Sequence, residues 1–271
     1  MKEAPKVSVL MTAYNREQYI ASAIESVLAS TYTHFELITV DDVSTDATVA
    51  IATSYAAKDE RIKVFVNEKN LGDYPNRNKA ASYATGTYLK YIDADDQLCY
   101  YGLEVLVNFM ERYPQAGFGL AAKPEDERPF PILLSPRETY LEHFYGYGHF
   151  DRSPGSAIIK RSAFEAVGGF SGKRMIGDYE LWFTLAKNYP MVKLPYEMYW
   201  NRVHAAQESQ SDYAKKNYGA LRSAVLAQAL ADINCPLTTA DKKQLHSFLK
   251  KQAIKQKLLT VLSGLAKKAG L

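Results

Sequence analysis

The sequence is poor in cysteine and has no long uninterrupted apolar run. Its 271 residues include two cysteines, Cys99 and Cys235, whose separation matches no metal-binding spacing. A framework of several disulfides is therefore excluded, and we expect reduced thiols in a cytoplasmic protein. The apolar run Val7–Met11 is too short for the core of a signal peptide, and no stretch of about 18 apolar residues predicts a transmembrane helix. Any membrane contact is expected to be peripheral, at the inner face of the cell membrane.

Glycine-rich phosphate loops are also missing. No GxGxxG motif follows any apolar run, which argues against a dinucleotide-dependent dehydrogenase. The segment Thr12–Arg16, which follows the first apolar run, contains no glycine. A nucleotidyltransferase, which usually needs a glycine-rich basic loop at this point, is therefore a weak alternative.

Acidic residues are absent from the C-terminal segment Lys242–Leu271, which contains eight lysines. The net charge of the whole chain is +3, so the preceding 241 residues carry −5. A mildly acidic body is not typical of a nucleic-acid-binding protein, and we expect no nucleic-acid partner. Apolar residues recur at helical intervals between Leu245 and Leu265. The segment is expected either to pack its apolar stripe on the rest of the chain or to lie on an anionic membrane.

Short apolar runs alternate with helical patterns through the first hundred residues. The predicted strands are Val7–Met11, Phe35–Val40, Ile62–Val66 and Tyr88–Ile92. The predicted helices are Glu17–Ala29, a helix capped by Ser44 or Thr45 that ends near Ala57, and Pro75–Ala84. This alternation predicts an α/β fold with a mostly parallel sheet flanked by helices. From about Asp212 the pattern predicts a helical C-terminal tail.

Acidic residues lie at the ends of two predicted strands. Asp41 and Asp42 end the second strand, and Asp93-Ala94-Asp95-Asp96 ends the fourth. In parallel α/β sheets, ligands bind beyond the carboxyl ends of the strands. An acidic residue after a strand is often only a helix cap, but the clustered oxygen atoms here suit Mg²⁺ or Mn²⁺.

Several segments together resemble family 2 glycosyltransferases, which have the Rossmann-like GT-A fold. The resemblance covers about residues 6–210 and is carried by Val7–Thr48, Asn70–Gly72, Arg77-Asn78, Gly86–Asp96, Gly155–Phe170, Gly177–Leu185 and Arg202–His204. No single segment is decisive, but their order and spacing are specific. The resemblance implies an inverting, divalent-metal-dependent glycosyltransferase that uses a nucleotide-sugar donor.

The resemblance assigns the metal and donor residues. The DxD motif of the family matches Asp93-Ala94-Asp95, so Asp95 is expected to bind Mn²⁺ or Mg²⁺ while Asp93 orients the ribose or the metal. His204 matches a histidine that approaches the metal or the diphosphate in some members. A bound cation would offset the charge that develops on the departing nucleotide.

The resemblance also implies a nucleotide-binding set. Thr12, Ala13 and Tyr14 are expected to form a wall of the base pocket, with the ring face of Tyr14 available to the base. Asp42 matches the position that recognises the nucleobase, and its carboxylate suits a uracil N–H. Arg77 matches an arginine that faces the diphosphate, the alternative being a surface ion pair. We therefore expect a UDP-sugar donor.

Asp178 is the expected catalytic base. The segment Gly177–Leu185 resembles the family segment whose aspartate deprotonates the acceptor hydroxyl. The alternative for Asp178 is a helix N-cap, and both roles are compatible. Trp182 is expected to pack in the core. Two residues depart from the family pattern: Val43 replaces a common glycine, so left-handed backbone there would be strained, and Gly177 replaces a frequent acidic residue.

We expect a glycosyltransferase domain over residues 1–211, with its donor half in 1–100 and its acceptor half in 101–211, followed by a helical basic tail over 212–271. Pro124–Pro136 is expected to be a surface loop. Phe144–Phe150, with His149, is either an acceptor-binding loop or a hydrophobic loop beneath the tail. The expected acceptor is a glycan or lipid-linked saccharide in surface polysaccharide biosynthesis. A non-catalytic sugar-binding module on the same fold is the main alternative.

Overall fold

The structure is a computed structural model that describes residues 4–126, 130–196, 198–204 and 207–252. The donor half begins with three strand-helix units and ends on a fourth strand. Its elements are β1 (Val7–Ala13), α1 (Ile20–Leu28), β2 (Phe35–Asp41), α2 (Thr48–Ala56), β3 (Ile62–Val66), α3 (Asp73–Ser82) and β4 (Tyr88–Asp93). The strands β1 and β2 are almost entirely buried, as expected for a sheet covered on both faces.

The acceptor half adds shorter elements. They are β5 (Gln97–Leu98), α4 (Gly102–Arg112), β6 (Phe118–Ala121), β7 (Ile132–Leu134), α5 (Pro136–Tyr145), β8 (Ala157–Lys160), α6 (Arg161–Ala166), α7 (Gly177–Asn188), β9 (Met191–Leu194) and β10 (Tyr199–Trp200). The helix α8 (Asp212–Ala231) follows, and residues 239–252 are helical.

The main sheet has the order β3-β2-β1-β4-β8-β6-β9-β7. The first four of these strands are parallel, whereas β8 is antiparallel to both of its neighbours. Two apolar clusters cover the sheet, one beneath α1 and α4 and the other beneath α5 and α7. The predicted α/β architecture with a mostly parallel sheet and a helical C-terminus is confirmed.

Several predicted boundaries were wrong. The first helix begins at Ile20 rather than Glu17, and α2 begins at Thr48 without a cap from Ser44 or Thr45. The Ser44 hydroxyl instead accepts a hydrogen bond from the Asn15 backbone N–H and donates one to Asp41, so it is engaged away from the helix. The predicted loop Pro124–Pro136 contains β7, which adds an edge strand to the sheet by antiparallel pairing with β9.

The start of the basic tail packs on the domain. Leu245 is 1% exposed and belongs to the same apolar cluster as α7. Arg137 on α5 makes a two-pronged ion pair with Asp241, with N–O distances of 2.8 and 2.6 Å. The ring of Tyr145 lies 4.9 Å from that of Phe248. Residues up to 252 therefore follow the packing interpretation, and residues 253–271 of the tail lie outside the described part.

Within the described residues, we find no helix with the length and apolar character that crossing a membrane requires.

Candidate active site

The register of the parallel strands brings the predicted donor residues to one edge of the sheet. Thr12 on β1 lies beside Asp93 on β4, and Ala13 lies beside Asp41 on β2. Tyr14 follows directly and is 49% exposed, so its ring face is open to solvent. The wall predicted from Thr12, Ala13 and Tyr14 therefore stands next to the acidic strand ends.

The turn after β4 gathers three carboxylates. Oxygen atoms of Asp93, Asp95 and Asp96 lie within 4.8 Å of one another. Asp96 is buried and accepts hydrogen bonds from the Asn201 side chain and the Arg202 backbone N–H, at 3.1 and 3.0 Å. Burial, followed by the charge of Asp93, raises the pKa of Asp96 to about 7. Carboxylates at this spacing repel one another, so a cation among them is electrostatically favoured.

Asp95 is held from two directions. Its Oδ2 accepts a hydrogen bond from Arg16 Nε at 2.8 Å and lies 2.9 Å from His204 Nε2. The Arg202 guanidinium donates to the Asp95 backbone carbonyl at 2.9 Å. The structure therefore brings His204 to the carboxylate that the sequence predicted as its partner at the metal.

The donor set fits a divalent cation. Asp93 and Asp95 offer carboxylate oxygens, and His204 offers an imidazole nitrogen beside them. Oxygen ligands suit Mg²⁺ and Mn²⁺, and an imidazole is also a common ligand for divalent first-row metals. The residues present at this edge are thus of the right type and proximity for the predicted metal.

Arg77 lies between two carboxylates. Its Nε donates to Asp73 and its Nη2 forms an ion pair with Asp93 Oδ1; both N–O distances are 2.7 Å, and only 6% of the residue is exposed. Burial opposes the charge of Arg77, but Asp73 and Asp93 outweigh it and raise the arginine pKa further. Arg77 is thus a buried cation beside the acidic strand end and not a surface ion pair.

Asp42 organises the loop that leads into α3. Its Oδ1 accepts hydrogen bonds from the Asn67 side chain and the Leu71 backbone N–H, both at 2.8 Å. Its Oδ2 accepts one from the Gly72 backbone N–H at 2.9 Å, which leaves acceptor capacity on that oxygen. Asp42 is 3% exposed, so a base would meet the edge of the carboxylate.

Val43 has the left-handed conformation expected from the family pattern. Its φ is +69°, a region that a β-branched residue rarely adopts. The backbone at position 43 therefore has a conformation that glycine adopts freely, and this conformation is strained for Val43.

Asp178 is the second residue of α7, where the helix dipole favours a negative charge. The N-cap position belongs to Ile176, so the N-cap alternative for Asp178 was wrong. Desolvation is the largest influence on Asp178 and raises its pKa to about 7, although hydrogen bonds from the Tyr179 backbone and the Tyr74 side chain act in the opposite direction. A carboxylate with this pKa can accept a proton near neutral pH.

Asp178 and the metal-binding edge meet through α3. The charges of Asp73 and Arg77 both act on Asp178, and Arg77 bonds directly to Asp93. Asp178 and Asp93 are therefore both close to the start of α3, which carries Asp73 and Arg77.

Only the end of the aromatic segment Phe144–Phe150 is internal: His149 and Phe150 are buried, whereas Tyr145 and Tyr147 are exposed. His149 is fully buried and its Nε2 lies 3.4 Å from Glu142 Oε2. Asp126 lies close to both of these side chains and forms an ion pair with Lys193, so this group already contains a cation. Trp182 is also fully buried, which confirms its predicted core packing.

Three residues of the site were not predicted. Arg16 follows β1 and donates a hydrogen bond to Asp95. The sequence signal for Arg16 was a basic residue at the end of a strand whose neighbours end in acidic residues. Lys90 is buried within β4 and donates to the Gly155 carbonyl. The sequence signal for Lys90 was a lysine inside an apolar strand. Burial lowers the pKa of Lys90 to about 7 against the opposing charges of Asp96 and Asp93. Tyr74 had no sequence signal.

The fold is similar to those of two solved structures. One is residues 1–349 of S. aureus TarS in complex with UDP-GlcNAc, with a TM-score of 0.70 and 21% identity over 89% of this chain and 70% of that one. The other is the mannosyltransferase PcManGT of Pyrobaculum calidifontis in complex with GDP-Man and Mn²⁺, with a TM-score of 0.60 and 17% identity over 93% and 80%. At these identities the likeness establishes the fold, which is GT-A.

Sequence comparison identifies the family. Glycosyl transferase family 2 matches residues 8–168, more than half of the chain. A Bacillus subtilis (strain 168) protein named as the glycosyltransferase EpsE is 35% identical over 191 residues, which cover 67% of each chain. Another protein of this strain, named as the teichuronic acid biosynthesis glycosyltransferase TuaG, is 42% identical over 137 residues, which cover 50% of this chain and 54% of TuaG. The chain therefore belongs to glycosyl transferase family 2, and the protein is a glycosyltransferase.

Proposed function

We propose that this enzyme is an inverting glycosyltransferase that moves a hexosyl or N-acetylhexosaminyl group from a UDP-sugar to a hydroxyl of a glycan or lipid-linked saccharide. The observation that supports the proposal is that the start of α3 links the two groups: the charges of Asp73 and Arg77 act on Asp178, and Arg77 pairs with Asp93. Direct displacement needs a base for the acceptor hydroxyl on one side of the anomeric carbon. On the opposite side it needs groups that stabilise the charge of the leaving group.

The donor side supplies the charge stabilisation. Asp95, Asp93 and His204 would hold Mn²⁺ or Mg²⁺, which offsets the negative charge of the diphosphate when bound. The Arg77 guanidinium stands at the same edge as a second cation, and its planar fork suits phosphate oxygens. The spare acceptor capacity of Asp42 suits the N–H of uracil, which supports UDP as the nucleotide.

The acceptor side supplies the base. The acceptor hydroxyl oxygen forms a bond to the anomeric carbon while its proton passes to the Asp178 carboxylate. The bond between the anomeric carbon and the phosphate oxygen breaks, and its electron pair leaves with the nucleoside diphosphate. Attack from the face opposite the leaving group inverts the anomeric centre.

The relatives support the polysaccharide context. TuaG is named for teichuronic acid biosynthesis, and TarS was crystallised with UDP-GlcNAc. We therefore propose a role in the biosynthesis of a surface polysaccharide. Although the apolar side of this segment packs on the domain up to residue 252, Lys243, Lys250 and Lys251 stay exposed, which supports a peripheral contact of the basic segment with an anionic membrane.

Calorimetric titration of UDP, GDP and dTDP with and without Mn²⁺ tests the donor half. We expect Mn²⁺-dependent binding of UDP that is lost in Asp95→Ala and kept in Asp59→Ala, a carboxylate paired with Arg61 on the surface. Absence of binding for all three nucleotides would overturn the donor site.

Transfer is tested with a panel of UDP-sugars and saccharide acceptors, with proton NMR of the anomeric configuration of the first product. Inversion and loss of turnover in Asp178→Asn are expected. Binding of UDP without turnover on any acceptor would favour the non-catalytic sugar-binding module.

A further inference from the structure

Gly177 and Tyr74 fit against each other so closely that no larger residue can replace the glycine without movement. A Cβ atom at position 177 would lie 2.7 Å from Cγ and Cδ2 of the Tyr74 ring. Real Cβ atoms do not approach ring carbons this closely. Tyr74 cannot easily retreat, because it is 5% exposed and its ring packs 5.1 Å from the ring of Phe170.

Tyr74 lies beside the expected base, because its ring packs on Gly177, the residue that precedes Asp178. Its hydroxyl favours the ionised form of the Asp178 carboxylate and lowers the pKa of that group. The Tyr179 backbone N–H donates to Asp178 Oδ1 at 2.7 Å. Two neutral groups, one on α3 and one on α7, therefore act on the carboxylate, and acceptor capacity remains for an incoming hydroxyl.

Four groups with charge or titratable protons act on Asp178. Asp73, Tyr74 and Arg77 approach from α3, and Tyr218 approaches from α8. Of these, Asp73 disfavours ionised Asp178, whereas Arg77 and the Tyr74 hydroxyl favour it. Tyr74 is thus the group on α3 that acts on the carboxylate without bringing a formal charge to it.

We propose that Tyr74 is a positioning residue for the base Asp178, and that glycine at position 177 is needed to admit its ring. This inference rests on the proposed function, in which Asp178 receives the acceptor proton. It gives a physical reason for the departure at Gly177, because an acidic side chain there would occupy the space of the Tyr74 ring. The hydroxyl fixes the direction of the carboxylate and helps to keep it ionised.

Tyr74→Phe tests the proposal, because it removes the hydroxyl and keeps the ring. Aspartate labelled with ¹³C at the carboxyl carbon reports the titration of Asp178 in the full chain, with Asp178→Asn used to assign the signal. We expect the midpoint, which lies near 7 in the parent enzyme, to rise by about one pH unit in Tyr74→Phe. The midpoint should be unchanged in Tyr140→Phe, a matched control whose buried hydroxyl donates to the Phe183 carbonyl.

The pH dependence of UDP release from UDP-GlcNAc in the presence of Mn²⁺ gives the second readout. With the base shifted by one unit, the rate of Tyr74→Phe should be roughly fivefold lower at pH 7 and close to the parent rate at pH 9. A purely structural role would lower the rate equally at both pH values. Gly177→Ala, which displaces the ring, should move the midpoint in the same direction.

An unchanged Asp178 midpoint in Tyr74→Phe would overturn the inference. The NMR titration needs no donor or acceptor, so its result is separate from that of the proposed function. An enzyme that releases no UDP from any UDP-sugar would overturn the proposed function, whereas an active enzyme with unshifted Tyr74→Phe profiles would overturn the role of Tyr74 alone.

Discussion

The imidazole Nε2 of His204 lies 2.9 Å from Oδ2 of Asp95, although 109 residues separate the two in the chain. Asp95 lies in the turn after β4, and His204 follows β10, which pairs with β5 immediately after this acidic turn. The short pairing of β10 with β5 therefore closes the expected metal site from the far end of the domain.

His204→Ala should weaken Mn²⁺ binding in the presence of UDP by about 10- to 100-fold, since partners of metal-binding carboxylates contribute to affinity on that scale. Titration followed by electron paramagnetic resonance of free Mn²⁺ measures the dissociation constant. His34→Ala, which alters an exposed histidine near the N-terminus, is the control. Equal dissociation constants for the parent and His204→Ala would contradict the assignment of His204.

Arg77→Lys should lower both stability and UDP affinity. A lysine keeps the charge but cannot pair with Asp73 and Asp93 from one planar fork, so one of the two carboxylates loses its partner. We expect the free energy of unfolding in urea to fall by about 1–3 kcal/mol. Arg61→Lys, in a surface pair with Asp59, should change it by less than about 1 kcal/mol. Similar losses in the two variants would show that Arg77 is not a buried link between the carboxylates.

The transfer rate should rise with pH through an acid limb near pH 7. The direction follows from the role of the base: Asp178 acts when ionised, and burial raises its pKa to about 7, so protonation removes activity below that pH. Asp178→Asn should lower kcat by about 100-fold or more while the Kd for UDP stays within about twofold. A limb near pH 4 would mean that Asp178 is not the group whose ionisation limits the rate.

The strain at Val43 can be measured by comparing the stabilities of two variants, Val43→Gly and Val43→Ala. At a φ of +69°, Val43→Gly should be more stable than Val43→Ala by about 1 kcal/mol, because alanine keeps the clash of Cβ with the backbone and glycine does not. Urea unfolding of both variants gives the difference. Equal stabilities, or a more stable alanine variant, would show that the loop relaxes out of the left-handed region.

The fold was predictable where the chain repeats a local pattern. The apolar runs that became β1, β2, β3 and β4 were recognisable because strands buried on both faces are continuously apolar. β7 was missed because Ile132–Leu134 is a three-residue strand in a proline-rich segment and depends on pairing with β9. Helix starts were misplaced where side chains such as Ser44 bond elsewhere in three dimensions.

The site was predictable where family motifs coincide with strand ends. Asp93, Asp95 and Asp42 stand at those ends, and the sheet brings them together. The contact between Tyr74 and Gly177 could not be predicted, because it joins α3 to α7, which are far apart in the chain, and neither residue has a local sequence pattern that indicates it. The loop that Asp42 holds could not be predicted either, because the residues that bond to Asp42 come from another unit of the fold.

The hydrogen bonds of Asp42 limit which substitutions could alter the nucleotide specificity of this enzyme. The carboxylate that we propose to face the base also anchors the Leu71 and Gly72 amides, from which the helix carrying Arg77 starts. Replacing Asp42 to admit a different base is expected to release that loop and to move Arg77, the proposed partner of the diphosphate, along with it. A lineage that exchanges one nucleotide for another is therefore expected to alter the neighbours of Asp42, such as Tyr14, and to inherit the aspartate unchanged.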